Sequence, residues 1–82
     1  MSDIEKFVRD SIQKNTGILV TEADENILEK DISPLDLLYV VDDIEQRYDL
    51  SPKNIIQNIT PDSFTIKQLV KIISTRSKVI NA

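Results

Sequence analysis

Apolar positions return at helical spacing in four stretches of the chain. In SDIEKFVRDSIQKNTG, Ile4, Phe7, Val8 and Ile12 fall on one face, Ser2 and Glu5 stand at capping-box spacing, and Gly17 supplies a stop, which predicts a first helix. Its Lys6, Arg9, Asp10 and Lys14 read as a solvated face. In DISPLDLLYVVDDIEQRYDL, Leu37, Val41, Ile44 and Tyr48 recur at i, i+4, i+7 and i+11, a single stripe at about 3.6 residues per turn, and this stripe is expected to be core. The start of that helix is also written in chemistry. Ser33 can accept from a first-turn N–H, Pro34 needs no N–H at the first helical position, and Asp36 can reach back toward Ser33. After Tyr48, SPKNIIQNI repeats the Ser-Pro start with Ser51 as cap and Pro52 first, predicting a short third helix that buries Ile55, Ile56 and Ile59. TPDSF then turns the chain. A last helix from Ser63 or Thr65 to Ser74 presents Ile66, Leu69, Val70 and Ile73 inward, and STRSKVINA is expected to fray from about residue 76.

Between Gly17 and Ser33, ILVTEADENILEKDI is longer than an ordinary connection and sustains neither helical nor strand period. It reads as a long loop pinned by Ile18, Leu19, Val20, Ile27, Leu28 and Ile32, with Glu22, Asp24 and Glu25 in water. The acids lack the alternating oxygen ligands and central glycine of an EF-hand, so no metal site is expected. The fold class that follows is all-α: residues 1–82 form one small four-helix bundle, three helices long and one short, with a long loop between the first and second.

Composition removes several classes of function. Cysteine, tryptophan and histidine are absent, so nothing suggests a disulfide or a thiolate metal site, and a nucleophile would have to be activated by carboxylates, lysine or tyrosine. No pair in the sequence does that for Ser33, so no catalytic residue is assigned and an enzyme is not expected. No apolar run approaches a signal segment or membrane span, which predicts a soluble, cytoplasmic protein with no membrane partner.

The net charge of −4 conceals an asymmetry: from Glu22 to Asp49 there are ten acids and two bases, and elsewhere four acids and eight bases. The scattered Lys53, Lys67, Lys71, Arg76 and Lys78 are not interleaved with aromatics, so no nucleic acid is expected. The acid concentrates around the second helix, where Leu35 and Tyr39 fall opposite the core stripe among Asp36, Asp42, Asp43 and Gln46. One exposed leucine means nothing by itself. Apolar groups in an acidic rim read as a docking face for a basic surface of a partner enzyme, steered by opposite charge.

The order of helices, the long first loop, the acidic second helix and the run ISPLDLLYVVDDIEQRYDL resemble the acyl and peptidyl carrier proteins, whose second helix begins at an Asp-Ser-Leu or Ser-Ser-Leu motif followed by an acid. YDLSPKNI and ITPDSFTIKQLVKII continue the similarity in register, so it covers nearly the whole chain. The resemblance implies an acyl-carrier-protein-like four-helix bundle. Carrier proteins bear 4′-phosphopantetheine on the serine just before that leucine. Here Leu35 and Asp36 match, while the attachment position is Pro34, which has no hydroxyl to modify. Ser33 is one residue upstream, displaced by about 100° in direction and about 1.5 Å along the axis.

The reading that follows is a monomeric, carrier-related interaction module that keeps the docking helix, has no cofactor, and serves a biosynthetic or peptide-maturation enzyme. Its alternative is a working carrier bearing 4′-phosphopantetheine on Ser33. A third is an unrelated helical adaptor whose likeness comes from shared bundle patterning. The docking reading requires Leu35 and Tyr39 to be exposed; the carrier likeness, against an unrelated adaptor, requires the short helix to lie between the second and the last and the helix start at Ser33 to sit at an exposed tip.

Overall fold

The computed structural model describes residues 3–77, apart from the side chains of Pro52 and Ile56. All regular structure among them is helical: α1 (Asp3–Thr16), α2 (Pro34–Tyr48), α3 (Pro52–Ile56) and α4 (Ile66–Arg76), with 3-10 turns at Ile27–Glu29 and Pro61–Ser63. Ser2, and with it the expected capping box of α1, lies outside the described residues. At the other end of α1, Gly17 takes φ of 75°, and its N–H donates to the Gln13 carbonyl at 2.9 Å. This left-handed stop is one that most residues with a Cβ adopt only at a cost.

α2 stops in a similar left-handed turn, made here by Asp49 at φ 52°, with the Leu50 N–H returning to the Glu45 carbonyl at 3.0 Å. Aspartate is among the residues that tolerate this region. Leu50 is thereby turned into the core. α4 starts at Thr65, whose hydroxyl accepts from the Gln68 N–H at 3.0 Å. It continues past the expected end at Ser74 to Arg76, and Ser77 donates its hydroxyl to the Tyr48 carbonyl at 2.7 Å, tying this end of α4 to the end of α2. The fraying expected from residue 76 therefore does not include Arg76 or Ser77; residues 78–82 lie outside the described part.

α1 packs against α2 and α4, and short α3 touches both α2 and α4. The core that these elements enclose includes Val8, Ile12, Ile44, Ile55, Ile66, Leu69 and Ile73. Two expected stripes are displaced. In α2 the deeply buried line is Val40, Ile44 and Tyr48, while Leu37 and Val41 are half-buried at its edge. In α4 Ile72 is buried where Val70 is only half-buried. In both cases the face is set by where neighbouring helices touch, and this rotates the centre of the stripe by about 30–40°, less than half the about 100° between successive residues. Phe7 packs edge-on against Tyr48, ring centroids 5.5 Å apart, with the Arg47 guanidinium over both rings.

The long loop is fastened at one side to the segment that leads into α4. Ile27 N–H donates to the Phe64 carbonyl, Lys67 N–H to the Ala23 carbonyl, and Asn26 Nδ2 to the Pro61 carbonyl, each at 2.8 Å. Val20 and Ile27 are fully buried and Ile18 and Ile32 pack on the core, but the expected anchors Leu19 and Leu28 are exposed. Glu25 is not simply in water: it pairs with Lys30 and accepts from the Glu22 N–H, and this pairing with Lys30 leads the causes that lower its pKa.

Candidate docking surface on the second helix

Pro34 opens α2 in place of a donor, and Ser33 before it is extended, at φ −64° and ψ 136°, so its carbonyl accepts the Leu37 N–H at 3.2 Å. Ser33 thus occupies the cap position through its backbone alone. Its side chain makes no capping hydrogen bond, and the expected reach of Asp36 back to Ser33 is not formed. The serine and the proline are both exposed at the helix tip.

From this tip the outward face of α2 runs along the helix. Leu35 is 56% exposed and Tyr39 52%, as the docking reading requires, but the most exposed large apolar residue is Leu38 at 64%, which the sequence analysis did not single out. On a wheel of about 100° per residue Leu38 lies about 60° from Leu35 with Asp42 between them, so the residue was findable once the core centre is moved to Val40 and Ile44. Asp42 accepts a hydrogen bond from Gln46 Nε2 at 2.7 Å, one turn on, which fixes the carboxylate beside the leucines. Asp36 is half-buried on the flank.

Asp43 departs from the expected rim. Its Oδ2 accepts from Ser11 Oγ at 2.9 Å and Asn15 Nδ2 at 2.9 Å, and pairs with Lys14 Nζ at 3.1 Å, clasping α2 to α1. Lys14 makes this pairing while its side chain stays on the solvated face expected for it. Arg9 does leave that face: its side chain is mostly covered, bridges Glu5 at 3.2 Å and donates to the Thr21 carbonyl at 3.3 Å. Burial would by itself push the Asp43 carboxyl up, but the hydrogen bonds from Asn15, Ser11 and Lys14, with the Lys14 charge, outweigh it and hold the group below its ordinary 3.8. Because the folded carboxyl is the stronger acid, the clasp stabilises the fold above that ordinary value and loses its contribution as pH falls through the folded one. Asp43→Ala is expected to cost about 1–3 kcal/mol at neutral pH, since the buried Ser11 hydroxyl loses its acceptor. It should also make stability less sensitive to acid below pH 3.8, as read by urea unfolding at a series of pH values. Glu45 runs the other way: burial, then the Asp42 charge, raises its pKa.

Among the described residues no group of three or more acids could hold a metal ion, and no helix is long and apolar enough to cross a membrane. What remains is a face of Leu35, Leu38 and Tyr39 interleaved with Asp42 and Gln46, which offers apolar area beside a carboxylate. Comparison with protein families, with curated proteins and with solved structures gives no match to this chain.

Proposed function

We propose that this chain is a carrier-protein-like, non-catalytic interaction module that docks on a biosynthetic or peptide-maturation enzyme through the outward face of α2 and has no phosphopantetheine arm. The observation that carries the reading is the exposure of Leu35, Leu38 and Tyr39 beside Asp42 on one face, since apolar anchors in a polar, charged rim are what a partner surface grips. The partner supplies lysines and arginines around an apolar socket. Opposite charge speeds the encounter, and the leucines and tyrosine hold the complex.

Asp36 and Asp42, rather than Asp43, are the acids to reverse, because reversing Asp43 would break the clasp to α1. The enzyme retained by the immobilised chain from its own cells should bind Asp36→Lys/Asp42→Lys at least about tenfold more weakly and with a shallower dependence on salt, while far-UV circular dichroism stays that of the native chain. Leu38→Ala should weaken binding by a comparable factor. Unchanged affinity in both variants would remove the docking face.

The arm does not fit the attachment position, because Pro34 has no hydroxyl. A second reading has one observation in its favour: the Ser33 hydroxyl is exposed and not committed to a cap. In that reading the chain is a working carrier bearing 4′-phosphopantetheine on Ser33. A Ser33-dependent adduct on the native chain would select it.

A further inference from the structure

We infer that the groove between α4 and the turn after α3 is a second docking site, one that takes an acidic peptide segment. The groove holds about 460 Å³, with Asn58, Gln68, Lys71, Ile72, Thr75 and Arg76 around it. Its wall is fixed by hydrogen bonds. Arg76 Nη2 donates to Asn58 Oδ1 at 3.3 Å, Gln68 Nε2 to the Asn58 carbonyl at 3.1 Å, and Asn58 Nδ2 to the Asn54 carbonyl at 2.8 Å. Lys71 and Arg76 are exposed, and neither forms an ion pair with a described acid. α4 carries Lys67, Lys71 and Arg76 and no acid, so it brings positive charge to the groove without an acid of its own.

The neutral groups decide the class of occupant. Thr75, in the groove lining, directs its hydroxyl proton to the Lys71 and Ile72 carbonyls at 2.9 and 3.2 Å, so its oxygen keeps only acceptor capacity for an occupant. Cationic donors beside an acceptor match a chain that carries carboxylates together with N–H groups. A phosphate ion matches the cations alone. Charge favours this side over the α2 docking face, where Asp36, Asp42, Asp43 and Glu45 lie on the helix and repel an acidic partner, while α4 carries Lys67, Lys71 and Arg76 and no acid. The site is independent of the α2 docking face and would let one small domain hold a basic partner and an acidic one.

The test is a titration of the full ¹⁵N-labelled chain with hexaglutamate at low salt, followed by heteronuclear NMR. Saturable shifts are expected at Asn58, Gln68, Lys71, Thr75 and Arg76, with the amides of Leu35, Leu38 and Tyr39 unmoved, and the affinity should fall as salt is added. Lys71→Glu/Arg76→Glu should weaken it by about tenfold or more. Should that pair unfold the chain, Lys71→Gln, which touches no described hydrogen bond of its side chain, should still weaken binding measurably. Absence of saturable shifts, an unchanged response in the folded variants, or the same shifts produced by inorganic phosphate at equal concentration would each overturn the proposal, the last by showing a plain anion site.

Discussion

Replacing Pro34 by serine is expected to convert a chain that keeps its own mass into one that accepts a pantetheine arm. Incubated with coenzyme A and a promiscuous phosphopantetheinyl transferase, the native protein should give an unchanged intact mass, and Pro34→Ser a full increment. The physical reason is positional. The substitution puts a hydroxyl at the first helical position of α2, next to Leu35 and Asp36, where Ser33 stands about 100° away in direction and about 1.5 Å along the axis. Proline here has φ set for the helix and no N–H to leave unpaired, so its loss should cost less than about 1 kcal/mol, and the variant should fold. A folded Pro34→Ser chain that stays unmodified would show that the likeness to carrier proteins does not extend to this register. An adduct on the native chain that disappears in Ser33→Ala would select the second reading, in which Ser33 carries the arm.

The second large effect is on stability. Ile27 is fully buried in the long loop, and its N–H donates to the Phe64 carbonyl at 2.8 Å. Ile27→Ala should cost about 2–5 kcal/mol, by lost burial plus the cavity left behind. That is a large share of the about 5–15 kcal/mol typical of a whole domain. Leu28 next to it is 41% exposed, so Leu28→Ala should stay within about 0.5 kcal/mol. Urea midpoints for the two variants check the contrast, and amide exchange at Ile27 and Lys67 should speed up in the first only, since these two N–H groups fasten the loop. Equal losses in the two variants would mean that the loop is held by its backbone rather than by the isoleucine.

The helix starts were legible because proline and a following apolar period are local signals: Pro34 and Pro52 stand where α2 and α3 begin, and Thr65 caps α4. What was not legible depends on distance along the chain. Asp43 looks like any rim acid until Ser11 and Asn15, 32 and 28 residues away, are brought to it by the packing of α1 on α2. The choice of Val40 over Leu37 as core, and with it the exposure of Leu38, follows from the side on which α1 and α3 lie, which a single helix does not encode. In the aperiodic loop, Leu19 and Val20 or Ile27 and Leu28 differ too little in type for sequence to say which faces inward. The exposed tip at Ser33 and the outward Leu35 and Tyr39 were readable because α2 has a strong period and an unambiguous beginning.

The fastening of residues 23–27 to residues 61–67 also bears on the order in which the molecule is made. A nascent chain that has reached the end of α2 holds half of these contacts and none of their partners. Its buried loop isoleucine stays in water until residues 61–67 have left the ribosome. Closure of this domain is therefore a late, long-range event in biosynthesis, and a chain stalled before Phe64 would present a greasy, open face to chaperones and proteases.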